Sequence, residues 1–254
     1  MLREERQNYI VNKVNENGII RISDIKKELD VTEMTIRRDL NDLENKSLLE
    51  RVHGGAKSIR KKINKELSHL EKTQKNYKDK LKIAKKVSML IEDEDIVFIG
   101  AGSTLELCAN FFEGKNCKIV TNSLFLFNRL VENNNRNIES ILVGGSFRKI
   151  TGAFVGNFAI NTIKVLHFKK AFIGTNGVKD SKIYTHNILE GDLQARVLNN
   201  STYKYIVSDS SKLGREDFFD FYNLEKIDSI IIDNNASKKD LEIIKNYTKV
   251  IKAV

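Results

Sequence analysis

From about residue 94 onward, short apolar runs rich in Val, Ile and Phe recur along the chain: DIVFIG, KIVTNS, SILVGG, KAFIGT, YKYIVSD, SIIID and KVIKAV. Segments with helical spacing, such as STLELCANFF and LFLFNRLVEN, lie between them. A strand with one wet face alternates apolar and polar residues, whereas these runs are continuous, so both faces of each strand are covered. Covered strands separated by helices predict a parallel sheet, and the larger part of the chain is expected to be a doubly wound α/β domain. No segment repeats at a fixed period.

With 254 residues there is room for a second, smaller domain. Three zones are expected: 1–56 as a small helical module, 57–86 as a charged connector, and 87–254 as the α/β domain. No stretch approaches the roughly 18 apolar residues of a membrane span, and the opening MLREERQNY is too charged for a signal peptide. A cytoplasmic protein without membrane contact is the expectation. Cys108 and Cys117 then read as reduced thiols.

Charge is unevenly placed. Residues 1–50 carry nine basic and eleven acidic side chains, whereas residues 51–86 carry thirteen basic and three acidic. A basic belt of this kind suits a polyanion partner or a solvated lysine-rich helix face, and charge alone does not separate the two. Lys61 and Lys62 are the belt residues expected to meet phosphate.

In the first zone, Glu4 to Asn15 has Ile10, Val11 and Val14 on one stripe and stops near Gly18, and Ile19–Ile22 reads as extended. Ser23 is placed to cap a second helix carrying Ile25 and Leu29. After a turn at Asp30-Val31, Thr32 caps a third helix reaching about Lys46, with Ile36, Leu40 and Leu43 on its inner face. Thr35, Arg37, Arg38 and Asn41 are left pointing outward. Two short helices, a tight turn and a third helix with a basic outer face make a helix-turn-helix, whose third helix reads base edges in the major groove of double-stranded DNA. Arginine suits that task because its fork pairs bidentately with guanine or clamps phosphate. Leu48 to Gly55 reads as a strand, a turn and a glycine stop, a wing that brings Arg51 and His53 to the phosphate backbone or the minor groove. The candidate DNA-binding residues are therefore Ser23, Thr32, Thr35, Arg37, Arg38, Asn41, Arg51 and His53.

The stretch VTEMTIRRDLNDLENKSLLERVHGGA resembles the winged helix-turn-helix of DeoR-type bacterial repressors, through its T-x-R-R-D-L helix and H-G-G-A wing end. The resemblance runs through nearly the whole chain. It implies a DNA-binding transcriptional regulator, a repressor of a sugar-utilisation operon, that assembles as a dimer or tetramer and answers to a phosphorylated sugar.

In the α/β zone, Gly100-Ala101-Gly102-Ser103-Thr104 follows an apolar run and opens a helical segment. Glycines allow close backbone approach, and free N–H groups and two hydroxyls supply donors, so the turn is a candidate anion cradle. It is neither G-x-G-x-x-G nor a P-loop. Other candidates follow later strands, where open α/β sheets place ligands: Asn122, Arg148, Asn176, Glu190, Asp209 and Lys212. Lys212 is the cation expected to neutralise a phosphate held by the Gly102–Thr104 turn. The same motifs resemble the effector domain of DeoR-type repressors, which is similar to ribose-5-phosphate isomerase. Where that enzyme has paired aspartates, this chain has Gly174-Thr175-Asn176-Gly177, which implies that binding is kept and the acid/base chemistry is lost. An isomerase with an appended DNA-binding arm is the rival reading. NKELSHLEKTQKN, THNILEGDLQARVLNNS and DSSKLGREDFFDF most resemble the lactose phosphotransferase-system branch of the family, whose implied inducer is tagatose 6-phosphate. Ala101 stands where that branch commonly has proline, so fructose 1-phosphate or another hexose phosphate stays open. His53, His69, His167 and His186 show no ligand spacing with the cysteines, so no metal and no cofactor are expected.

Overall fold

A computed structural model describes residues 3–46, 48–58, 66–133, 135 and 137–254. The chain divides into two compact units, Met1–Lys65 and Glu66–Val254. Residues 66–86, expected to be connector, belong to the second unit. Residues 59–65 of the basic belt, with Lys61 and Lys62, lie outside the described residues.

The first unit runs α1 (Arg3–Asn17), β1 (Ile19–Arg21), α2 (Ile22–Leu29), α3 (Glu33–Asn45), β2 (Glu50–Val52) and β3 (Gly55–Lys57). Ile10, Val14, Ile25, Ile36, Leu40, Leu43 and Leu49 form its core. The Thr32 hydroxyl caps α3 by accepting the Thr35 amide at 3.3 Å. Ser23 does not cap α2: the helix begins at Ile22, and Arg21 stands at the cap position without a side-chain bond. The Ile22 amide donates instead to the Gly54 carbonyl at 2.9 Å, so a contact with the wing replaces the cap. Strand β3 pairs antiparallel with both β1 and β2, which ties the wing to the helical body.

The second unit begins with α4 (His69–Gln74), α5 (Tyr77–Met89) and β4 (Ile96–Ile99). It continues through β5 (Cys117–Thr121), α6 (Leu124–Glu132), β6 (Ile138–Leu142), β7 (Ser146–Arg148), β8 (Ala153–Val155), α7 (Asn157–Lys164) and β9 (Phe168–Gly174). The remainder is β10 (Gly177–Lys179), β11 (Lys182–Thr185), α8 (Ile188–Asn199), β12 (Ser201–Ser208), β13 (Phe219–Asn223), β14 (Ser229–Asp233), α9 (Lys238–Lys245) and β15 (Lys249–Ala253). Seven strands form one parallel sheet in the order β15-β14-β12-β9-β4-β5-β6. They are the seven apolar runs of the sequence. Val97, Ile99, Phe172, Val207 and Ile231 face one core, with Ile83 and Val87 of α5. Their neighbours Phe98, Ala171, Ile173, Ile206 and Ile230 face the other, with residues of α7 and α8. Both faces are covered, as continuous runs require.

Two features were not foreseen. Strands β7 and β8 form a hairpin, and β10, β11 and β13 form a small antiparallel sheet. The segment after the glycine turn, Leu105–Phe111, is a 3₁₀ helix and not an α-helix. Leu105 to Ala109 are all buried in succession, so this part of the segment carries no amphipathic stripe to mark its type.

Candidate functional site

In the first unit, α3 divides its charges between two faces. Asp39 is buried and takes the Arg6 guanidinium of α1, with Nε donating to Oδ2 at 2.5 Å and Nη2 to Oδ1 at 3.3 Å. Arg3 pairs with Asp42 on the same side. Arg37, Arg38 and Asn41 are exposed on the opposite side, and Thr35 is half-buried. Arg37 donates to Glu33 at 2.6 Å one turn back, while Arg38 has no ion-pair partner among the described residues. Arg51 reaches from the wing to the side-chain oxygen Oδ1 of Asn41, and its amide donates to Glu44 at 2.8 Å, which fixes the wing against α3. His53 is exposed at the wing tip. Seven of the expected residues thus lie on α3, its cap and the wing, while Ser23 is exposed on α2.

In the second unit, chain order in the sheet reverses between β4 and β9: β5 and β6 lie to one side of β4, and β9, β12, β14 and β15 to the other. Ligand crevices of open α/β sheets lie at such a switch point, beyond the carboxyl ends of the strands. A cavity lies there, lined by Ala101 to Thr104 after β4, by Gly174 to Asn176 after β9, and by Ser208, Asp209 and Lys212 after β12. Three further cationic side chains, Lys72, Lys75 and Lys80, enter it from α4, α5 and the bend between them. Lys80 is buried, and its ammonium donates to the Ser103 hydroxyl at 3.0 Å and to the Lys72 carbonyl. Burial lowers its pKa to about 8, with Asp209 opposing and the neighbouring lysines 212, 72 and 75 adding to the fall. Burial likewise depresses Lys212, against the pull of Asp209. Buried ammonium groups beside hydroxyls and a glycine turn suit an anion, because a phosphate supplies the counter-charge that burial withholds.

The opposite wall is polar and acidic. Glu190, buried on α8, accepts from Arg148 at 3.2 Å and from the Thr151 hydroxyl. Gln194, one helical turn on, also lines the cavity, and its Oε1 is buried without a partner among the described residues. Such a wall accepts hydroxyl protons. Three expected residues do not line the cavity. Gly100 lies behind the turn, its amide donating to the Phe172 carbonyl at 2.9 Å. Asn122 is buried and donates to the Phe154 carbonyl at 3.0 Å, holding the β7–β8 hairpin to the end of β5. Arg148 stands behind Glu190 and donates to Glu66 at 2.8 Å. Among the described residues, no group of three or more His, Cys, Asp or Glu is placed to hold a metal ion, and no helix is long and apolar enough to cross a membrane.

Residues 6–62 match the DeoR-like helix-turn-helix domain, and residues 75–234 match the DeoR C terminal sensor domain. The chain belongs to the DeoR family. This DeoR-family chain is 42% identical to the lactose phosphotransferase system repressor of Lactococcus lactis subsp. lactis, over all of both chains. It is 36% identical to the protein of that name from Streptococcus mutans and 39% identical to that from Staphylococcus aureus NCTC 8325, each over 99% of this chain and 100% of the relative. The family places the chain among DNA-binding regulators, in preference to the isomerase-type enzyme weighed above. Among solved structures, the DeoR-family chain bears a distant likeness to ribose 5-phosphate isomerase A of Methanocaldococcus jannaschii (18% identity, TM-score 0.40, covering 54% of this chain and 55% of that one).

Sequence reasoning missed the contribution of α4 and α5 to the DeoR-family cavity. Lys72, Lys75 and Lys80 fell within the basic belt, where charge alone does not separate a polyanion partner from a solvated face. A signal was present: Lys80, Ile83, Ala84 and Val87 fall at i, i+3, i+4 and i+7, one buried stripe of α5. A lysine on that stripe is drawn inward with it.

Proposed function

We propose that this DeoR-family regulator represses a sugar-utilisation operon in the cytoplasm, binding operator DNA as a two-fold assembly and releasing it when a phosphorylated sugar such as tagatose 6-phosphate fills the cavity. The observation that carries this reading is the arrangement of the cavity itself. Lys80, Lys212, Ser103 and Thr104 form a cationic, donor-rich end, and Glu190 and Gln194 form an acceptor wall. A sugar phosphate carries the complementary pair of groups, a dianion and several hydroxyls. On the DNA side, Arg38 and Asn41 of α3 contact base edges or phosphate, with Arg51 and His53 of the wing against the backbone. A dimer or tetramer follows from half-site pairing, in which protein symmetry mirrors that of the operator. For the ligand to act as inducer it must prefer the state that does not bind DNA, since equal affinity for both shifts nothing.

The test is a thermal-shift screen across hexose and pentose phosphates, followed by a gel shift on the promoter region of the chain's own operon with each phosphate that binds. A compound that raises the melting temperature and releases the DNA is the expected result. A flat response across the screen removes the sugar-phosphate reading, and aldose–ketose turnover well above background replaces it with an enzyme.

A further inference from the structure

The segment Glu66 to Lys80 is fastened across the second unit by side chains that belong to the cavity or stand directly behind it. Glu66 accepts both Arg148 nitrogens, one at 2.8 Å, and Arg148 in turn donates to Glu190 of the cavity wall at 3.2 Å. Lys72 donates to Asn176 at 3.4 Å. Asn76 donates to Asp209 at 3.0 Å. Lys80 joins the Lys72 carbonyl to the Ser103 hydroxyl. Asn176, Asp209, Ser103 and Glu190 all line the cavity. Helix α4, by contrast, has no buried residue, and its Leu70 is 69% exposed. The strap is therefore held chiefly by polar contacts and little by an apolar face. His69 adds an ion pair to Glu106, a stack on Phe125 and an amide bond to the Ile150 carbonyl, and a charged ligand that competes for the cavity groups acts on the other contacts.

We propose that a phosphorylated ligand is detected by displacement of this strap: its phosphate draws Lys80 away from the Lys72 carbonyl, its hydroxyls compete with Lys72 and Asn76 for Asn176 and Asp209, and residues 66–76 come free. The proposal rests on the sugar-phosphate reading of the cavity given above. Glu66 is the first residue of the second unit, so release of 66–76 frees that stretch of chain from the body of the second unit. A flexible stretch there lowers the effective concentration of each DNA-reading unit at its half-site, which links an occupied cavity to a weaker grip on the operator. Burial alone would raise the Glu66 carboxyl, yet Arg148 and Lys72 hold it below the ordinary glutamate range, as expected of a charged staple.

The test is hydrogen exchange on the full chain with and without tagatose 6-phosphate or fructose 1-phosphate, with inorganic phosphate as a control and binding established by thermal shift. The amides of His69 and Lys72, which donate to Ile150 and Ser68, are expected to exchange about tenfold faster or more with a bound sugar phosphate, while those of α9 do not change. Unchanged or slower exchange at 66–76 with a compound that binds and releases operator overturns the strap and leaves the cavity reading standing. If neither compound shifts the melting temperature, the cavity reading falls and the strap with it. Glu66→Gln, which leaves Arg148 its bond to Glu190, is expected to reduce the sugar phosphate needed for half-maximal operator release by about fivefold or more. An unchanged requirement in a folded variant also overturns the proposal. The exchange measurement on the unaltered chain carries the test if the variant does not fold.

Discussion

Raising the pH from about 7 to about 9 withdraws the proton from Lys80 and leaves the ligand's charge untouched, because a phosphate monoester completes its second ionisation near 6. With an ammonium that titrates at about 8, about nine-tenths of the molecules carry the charge one pH unit below and about one-tenth one unit above. If only the charged form holds phosphate, affinity for tagatose 6-phosphate falls about tenfold across the interval, equivalent to about 1.4 kcal/mol. The sign follows from the direction of the linkage: a bound dianion raises the lysine's pKa, so binding takes up a proton and weakens as protons become scarce. The other charged groups facing Lys80 are Asp209, Lys212, Lys72 and Lys75. Burial depresses Lys212 in the same direction, against the pull of Asp209. Calorimetric titration at a series of pH values reads the slope directly, and Lys80→Met is expected to bind more weakly with a flatter profile. Equal affinity at both ends of the range, or an identical slope in the variant, refutes the assignment of Lys80 to the phosphate.

Arg38→Ala is expected to cost about 1–3 kcal/mol in operator affinity if the side chain reads a base, measured by fluorescence anisotropy at fixed salt; unchanged affinity removes it from the interface. Asp39→Ala leaves Arg6 without its buried partner and is expected to destabilise the first unit by about 3 kcal/mol or more; a melting temperature equal to that of the parent chain contradicts the pairing. The two wing glycines differ in kind. Gly54 sits at φ +81° with open space where a Cβ would be, so Gly54→Ala is expected to cost about 1–2 kcal/mol in left-handed strain. A Cβ at Gly55 would lie 2.1 Å from the Ile20 carbonyl oxygen, so Gly55→Ala is expected to part β3 from β1 and destabilise the unit well beyond the Gly54 variant; similar chemical-denaturation midpoints for the two variants refute this.

The parallel sheet was legible because burial on both faces leaves a mark that a single chain carries by itself. SIIID and KAFIGT can be strands only if nothing wet touches them. The β7–β8 hairpin and the β10–β11–β13 sheet left no such mark, since GVK and SFR are too short to show a period. The cap of α2 was misread for a different reason. Ser23 is a good capping residue in the right place, but the Gly54 carbonyl had already satisfied the Ile22 amide, and a partner more than thirty positions away is invisible to local pattern. The cavity was half legible. The glycine turn and Lys212 were readable as loop chemistry after strands, whereas Lys80 required recognising that a charge can share a helical stripe with Ile83 and Val87. Arg148 was found for its charge and misplaced in its role, because sequence does not say which of two carboxylates an arginine stands between.

The acidic balance of residues 1–50 looked unfavourable for a polyanion partner, and the geometry shows why net charge misleads here. Asp39 and Asp42 are turned towards α1 and paired with Arg6 and Arg3. Glu28 takes Lys13, Glu50 takes Lys57, and Glu44 accepts the Arg51 amide. Each of these carboxylates has a local partner, and Glu33 is paired with Arg37 on the outward face of α3. At a screening length of about 8 Å in physiological salt, a duplex lying on that face responds to the nearest charges and not to the sum over the unit. The cationic groups left unmatched there include Arg38, and the fork of Arg37 is only partly engaged by an exposed glutamate. An exposed i,i+4 pair contributes about 0.3–0.5 kcal/mol, so exchanging Glu33 for a phosphate costs Arg37 little. The segregation of charge across α3, with Asp39 and Asp42 turned towards α1 and Arg37 and Arg38 outward, is what reconciles a net-acidic module with the DNA contact proposed for that face.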